Sequence, residues 1–139
     1  MQSLSTLIKL QKTRVDEQRL VLARAQEKLD LVERAIAGLE NEKRHEKEVA
    51  GKNTEQAVTY GAFLKEAVKR ERALFKERQI AVAAVNAARE TLIELFEEQK
   101  RYEIAEAARL EAEEREELRR DTAELDEIGG VTHERRKNR

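Results

Sequence analysis

From Leu4, alternating steps of four and three residues land on Leu4, Ile8, Gln11, Val15, Gln18, Leu22, Ala25, Leu29, Val32, Ile36, Leu39, Lys43, Glu46 and Ala50. Ten of these fourteen are apolar, and the residues between them are mostly charged. A 3.5-residue repeat sustained this long predicts a helix with a coiled-coil seam. The repeat stops at Gly51-Lys52-Asn53-Thr54. Gly51 is expected to take the left-handed conformation that ends a helix, and Asn53 or Thr54 to cap the next one. The seam resumes at Tyr60, Leu64, Ala67, Glu71, Leu74, Arg78, Ala81, Val85, Ala88, Leu92, Leu95, Gln99 and Tyr102, of which ten are apolar or tyrosine. A connection this short makes the two helices antiparallel neighbours.

The expected fold is therefore all-α, two long helices in an antiparallel coiled-coil hairpin with the second longer than the first. The boundaries read as helix 1 over about 3–50, a turn at 51–56, helix 2 over about 57–128 and a flexible basic tail at 129–139. Ser3 and Ser5 can cap the start. Gly61 costs about 1 kcal/mol inside a helix and predicts a frayed or bent segment from Thr54 to Gly61. Leu4 should lie opposite roughly residue 103, so Glu103 to Ile128 project beyond the first helix by about 38 Å. Ile104, Ala108, Leu118, Leu125 and Ile128 are the apolar members of that overhang. Gly129-Gly130 then releases the basic end, His133 to Arg139.

Composition supports helices over disorder. Charged residues make up 41% and aromatic ones 4%, and there is no proline, cysteine or tryptophan. Ala, Leu, Glu, Lys, Arg and Gln dominate, all good helix formers. Five glutamate-to-arginine pairs four residues apart, at Glu40–Arg44, Glu66–Arg70, Glu97–Arg101, Glu111–Arg115 and Glu116–Arg120, add about 0.2–0.5 kcal/mol each. The net charge is −1, so the chain as a whole is no polyanion binder. The first ten residues lack an unbroken apolar run and read as neither signal peptide nor membrane span.

The chemistry of catalysis is thin. Two serines, two histidines and no cysteine leave little for a nucleophile, and there is no glycine-rich phosphate loop. His45 and His133 read as surface residues, and the acidic pairs at 111–117 lie on a solvated helix. We expect no enzyme, no cofactor and no metal. Charge is segregated instead. Lys9, Lys12 and Arg14 make the N-terminal turns basic, like the end at Arg135-Arg136-Lys137 and Arg139. An acidic belt covers roughly 103–127, and such an arrangement can steer a partner or can be a solvated face. Gln11, Gln18, Lys43, Glu46, Glu71 and Arg78 interrupt the seam and can set register. Tyr60, read mainly as core, and Phe63 near the turn are rings that can pack locally or anchor a partner.

Three stretches resemble the FliJ family of the bacterial flagellar export apparatus, in its alphaproteobacterial branch. They are Met1-Gln2-Ser3-Leu4-Ser5-Thr6-Leu7-Ile8-Lys9-Leu10 with Val15-Asp16-Glu17, Tyr60-Gly61-Ala62-Phe63, and Lys100-Arg101-Tyr102-Glu103-Ile104-Ala105 with Ala123-Glu124-Leu125-Asp126-Glu127-Ile128. Gly129-Gly130 departs from the family, whose helix continues there. The resemblance implies a non-catalytic stalk like that of rotary ATPases. It would be inserted into the hexamer of the export ATPase (FliI-type), linked to the cytoplasmic domain of the export gate (FlhA-type), and would escort export chaperones. It would be cytoplasmic, peripheral at the inner-membrane flagellar base, without a transmembrane segment. On this reading Leu4, Leu7, Lys9, Lys12, Arg14, Leu118, Leu125 and Ile128 meet the ATPase ring, the leucines and isoleucine as exposed apolar groups. Tyr60, Phe63 and Phe75 meet the gate. A generic coiled-coil scaffold or chaperone, or the stalk of a virulence secretion system, is the competing reading.

Overall fold

A computed structural model describes residues 3–138. Met1-Gln2 of the opening motif and Arg139 of the basic end lie outside the described residues. Two helices, α1 (Leu4–Ala50, 47 residues) and α2 (Thr54–Lys137, 84 residues), pack against each other, with no strand among the described residues.

The helix ends follow from local chemistry. Ser3 caps α1: its Oγ accepts the Thr6 amide N–H at 3.2 Å and its carbonyl accepts Leu7 N–H at 3.0 Å. Ser5 lies inside the helix, so only one of the two expected serines serves. At the other end Gly51 N–H reaches the Lys47 carbonyl at 3.3 Å and Lys52 N–H the Val49 carbonyl at 3.1 Å. That last bond tightens the turn to three-residue spacing, which satisfies an orphan carbonyl without a left-handed residue. No described glycine has positive φ, so the left-handed stop expected at Gly51 is not used.

Asn53 caps α2. Its Oδ1 accepts Gln56 N–H at 2.8 Å and its carbonyl accepts Ala57 N–H at 3.2 Å. The cap starts α2 at Thr54, earlier than the expected 57, and the helix continues without interruption through Gly61. Glu55 in the first turn complements the helix dipole.

Helix α2 also continues through Gly129-Gly130 to Lys137, past the expected end at 128. Two glycines weaken a helix but do not break it as proline does. Thr132 Oγ1 donates to the Ile128 carbonyl at 2.9 Å across them, and Arg135, Arg136 and Lys137 occupy the last turn, where cations suit the helix dipole. A Cβ added at either glycine meets nothing within 4 Å. Gly129→Ala and Gly130→Ala should each stabilise this end by about 1 kcal/mol. Slower amide hydrogen exchange from Ile128 to Lys137 would register the gain, and unchanged exchange would contradict it.

The chain divides into two compact units, Thr13–Phe96 and Met1–Lys12 with Glu97–Arg139. In the Thr13–Phe96 unit, Val15, Leu39, Ala67, Ala81, Val85 and Ala88 are buried. Every other seam position of that unit is half-buried except Arg78, which is exposed. The polar residues that interrupt the stripe make the cross-helix bonds. Gln18 Nε2 donates to the Ala88 carbonyl at 3.0 Å and Lys43 pairs with Glu71, while beside the stripe the exposed Arg70 pairs with Glu42 at 3.2 Å. Among the expected Glu–Arg pairs here, Glu66 instead pairs with Lys69 at 3.6 Å and Glu40 with Lys43 at 3.4 Å. Arg70 has a cross-helix carboxylate within reach, which takes it from its own helix.

In the other unit Gln11 is 1% exposed. Its Nε2 donates to the Glu98 carboxylate at 3.2 Å, and Tyr102 donates its phenolic O–H to the same group at 2.8 Å. Leu4, Ile8, Gln99 and Tyr102 continue the stripe, half-buried.

The hydrogen bond from Lys43 holds the Glu71 carboxyl below its ordinary value, and the same bond raises the Lys43 amine. A depressed acid stabilises the fold above its unfolded pKa and loses that as pH falls through its folded one. A raised amine stabilises below its unfolded pKa and loses that as pH climbs through its folded one. The pair therefore supports the hairpin across the neutral range, from above about 4.3 to below about 10.4, and fails at both extremes. Lys43→Glu or Glu71→Lys alone should lower the melting temperature at pH 7, and the double exchange should recover most of it. A double variant no better than the singles would contradict the pairing.

Candidate partner-binding surfaces

Two sets of side chains fit the role of contact surfaces, one in each unit. In the unit formed by Met1–Lys12 and Glu97–Arg139, Gln11 lies against Glu98. Seven residues before Gln11, α1 begins at Leu4, which brings its start level with about residue 105 of α2. Past that level α2 runs on as a lone helix for roughly 46 Å. Every residue from 107 to 138 is exposed except Glu116.

The lone stretch is held by its own charges. Arg109 binds Glu106 at 2.7 Å and Glu113 at 2.8 Å, Arg115 binds Glu111 at 2.7 Å, and Glu116 takes Arg119 at 2.7 Å and Arg120 at 3.6 Å. The expected Glu111–Arg115 and Glu116–Arg120 pairs are thus present. Hydrogen bonds from Arg109 and Arg119 hold the Glu106 and Glu116 carboxyls below their ordinary values. Glu103 to Glu127 contain eleven acids against four arginines, so the stretch stays strongly negative after internal pairing.

Against that charge stand apolar side chains in water. Leu118 is 65% exposed, Leu125 68% and Ile128 56%, with Ile104, Leu110 and Val131 exposed as well. Leu110 and Val131 escaped the sequence reading because single apolar residues inside a charged run make no heptad pattern. Leu4 and Leu7, expected to be exposed, are half-buried. Leu4 is the first seam residue and Leu7 flanks the seam, so the stripe claims both from the first turn. Lys9 and Lys12 are on the exposed side. Arg14 is also exposed but belongs to the Thr13–Phe96 unit.

In that unit Tyr60 and Phe63 stack near the turn, with centroids 6.4 Å apart and planes at 19°. Both are half-buried. Phe75 does not join them: it lies twelve residues beyond Phe63, some 18 Å along the helix, and carries the Arg78 guanidinium 5.0 Å from its ring. Arg78, which breaks the stripe in sequence, therefore leaves the seam to cover an exposed phenylalanine. Phe96 is covered likewise by Arg19 at 5.3 Å. Val58, 76% exposed beside the turn, was not singled out by the sequence pattern because it falls off the stripe.

Among the described residues no helix is long and apolar enough to cross a membrane. Compared with known families, residues 1–138 match a model described as flagellar FliJ protein. No curated protein and no solved structure matches the chain.

Proposed function

Because the chain belongs to the flagellar FliJ family, and so is a component of the flagellar export apparatus, we propose that it acts there as a non-catalytic stalk. The lone part of α2 binds the ring of the export ATPase, and the turn end meets the export gate. The observation that carries this reading is the row Leu118, Leu125 and Ile128, more than half exposed on a helix with no first-helix residue alongside. Apolar side chains held in water on a self-supporting helix cost nothing to cover and favour a partner by about 25 cal/mol per Å² covered. The acidic belt over 103–127 and the basic Lys9, Lys12 and Arg14 would each steer entry toward groups of opposite charge on the ring. Escort of export chaperones and a cytoplasmic position at the flagellar base belong to the same reading.

The test is capture of the purified export ATPase. L118S/L125S/I128S should abolish capture while helicity stays, since none of the three is packed. Charge reversal of Lys9, Lys12 and Arg14 should weaken it. Capture unchanged by both would remove the ring contact. At the other end, alanine at Tyr60, Phe63 and Phe75 should spare ATPase capture and reduce binding of the gate's cytoplasmic domain. Loss of folding instead would make those rings core.

A further inference from the structure

Helix α2 carries a second heptad set outside its seam. Val68, Phe75, Val82 and Phe96 each follow a seam residue by one and are 44%, 37%, 39% and 39% exposed. Arg89 fills the remaining place in this row. The adjoining outer rows are Lys65, Arg72, Gln79, Asn86, Ile93 and Lys69, Lys76, Ala83, Glu90, all exposed. These outer rows are wholly basic up to Lys76, uncharged from Gln79 to Asn86, and negative at Glu90. A shallow groove of about 290 Å³, lined by Arg78, Gln79, Val82, Ala83 and Asn86, sits at the uncharged centre.

Such a face is complementary to itself in reverse. Laid antiparallel along α2 with a two-fold axis near Ala83, a second copy places its Glu90 opposite Lys76, and symmetry repeats the pair. The same register brings Phe75 to within two residues, about 3 Å, of the level of Ile93 of the second copy, and Arg72 as close to the level of its Phe96, a cation–π partner. A parallel arrangement would set lysine against lysine. A shift of one heptad can still set Lys69 opposite Glu90 but separates Phe75 from Ile93. We propose that this face of α2 is the interface of an antiparallel homodimer. The pairing is independent of the ring reading, whose apolar residues lie in the other unit, and it competes with the gate for Phe75 alone.

Sedimentation of the full chain across a concentration series should show its mass rise from one copy to two. K76E and E90K should each weaken association roughly tenfold, the scale of two exposed pairs made repulsive. Helicity should stay unchanged, because both side chains are exposed. An equimolar mixture of the two variants should associate again, since each supplies the charges the other lacks. The chain contains no cysteine, so Ala83→Cys gives a single thiol at the axis. Diamide should couple it between copies far faster than a thiol placed by Leu20→Cys on α1. A single-copy mass at every concentration, a mixture that stays apart, or equal coupling at positions 83 and 20 would overturn the dimer.

Discussion

Replacing Leu39 with alanine is expected to destabilise the hairpin by about 2–5 kcal/mol, the range for a buried leucine emptied to a methyl. Leu39 is 2% exposed, at the seam of the Thr13–Phe96 unit. A two-helix layer has no third element to collapse into the space, so the upper part of the range applies. Folded domains hold only about 5–15 kcal/mol in all, and a loss of this size moves the urea midpoint far toward zero. Leu39→Met, close in volume, should cost under about 1.5 kcal/mol. Equal midpoints for the two variants would show that Leu39 is not packed as described.

The second large effect runs the other way in volume. Ala67 is 1% exposed, and it sits four residues before Glu71 in a seam that also uses alanine at positions 81 and 88. Small side chains let the helices approach closely. Ala67→Leu should force them apart and cost about 1–3 kcal/mol. Because Lys43 and Glu71 span the helices nearby, the variant should also lose part of the stability that this pair supplies at neutral pH and no longer supplies in acid. Unfolding curves at pH 7 and at pH 3 would separate the contributions. A variant as stable as the parent at both would mean that spacing at Ala67 is slack.

Much of this architecture was legible in the stripe itself, since periodicity alone chose the residues that bury. Every seam position from Val15 to Ala50 is buried or half-buried, as is every one from Tyr60 to Leu95 except Arg78, while Gln26, Asp30, Glu40, Val49 and Phe63 are half-buried beside the seam. The interruptions were legible as register devices, but their partners were not. A heptad pattern says which side a residue faces; which carbonyl Gln18 reaches depends on the offset between the strands of the seam, and that is set by the turn. Glycine misled twice. At Gly51 a tightened last turn replaced the left-handed stop, and at Gly129-Gly130 the helix ran on, supported by cations in its last turn. The proposed contact surfaces were partly visible. Leu118, Leu125 and Ile128 stood out as apolar residues past the end of the first stripe, whereas Leu4 and Leu7 were drawn into the seam. Phe75 lies well apart from Tyr60 and Phe63, a separation that counting along the helix gives and that grouping by residue type hid.

The three-residue connection at Gly51–Asn53 also governs the order of assembly. Lys43 and Glu71 are 28 residues apart in the chain, Gln18 and Ala88 are 70 apart, and Gln11 and Glu98 are 87 apart. Closing a short loop loses less chain entropy than closing a long one, so contacts beside the connection form first and each shortens the effective loop for the next. Folding is therefore expected to run as a zipper from residue 51 toward the ends. Mutations near Lys43 and Glu71 should then slow refolding, and those near Gln11 and Glu98 should mainly hasten unfolding.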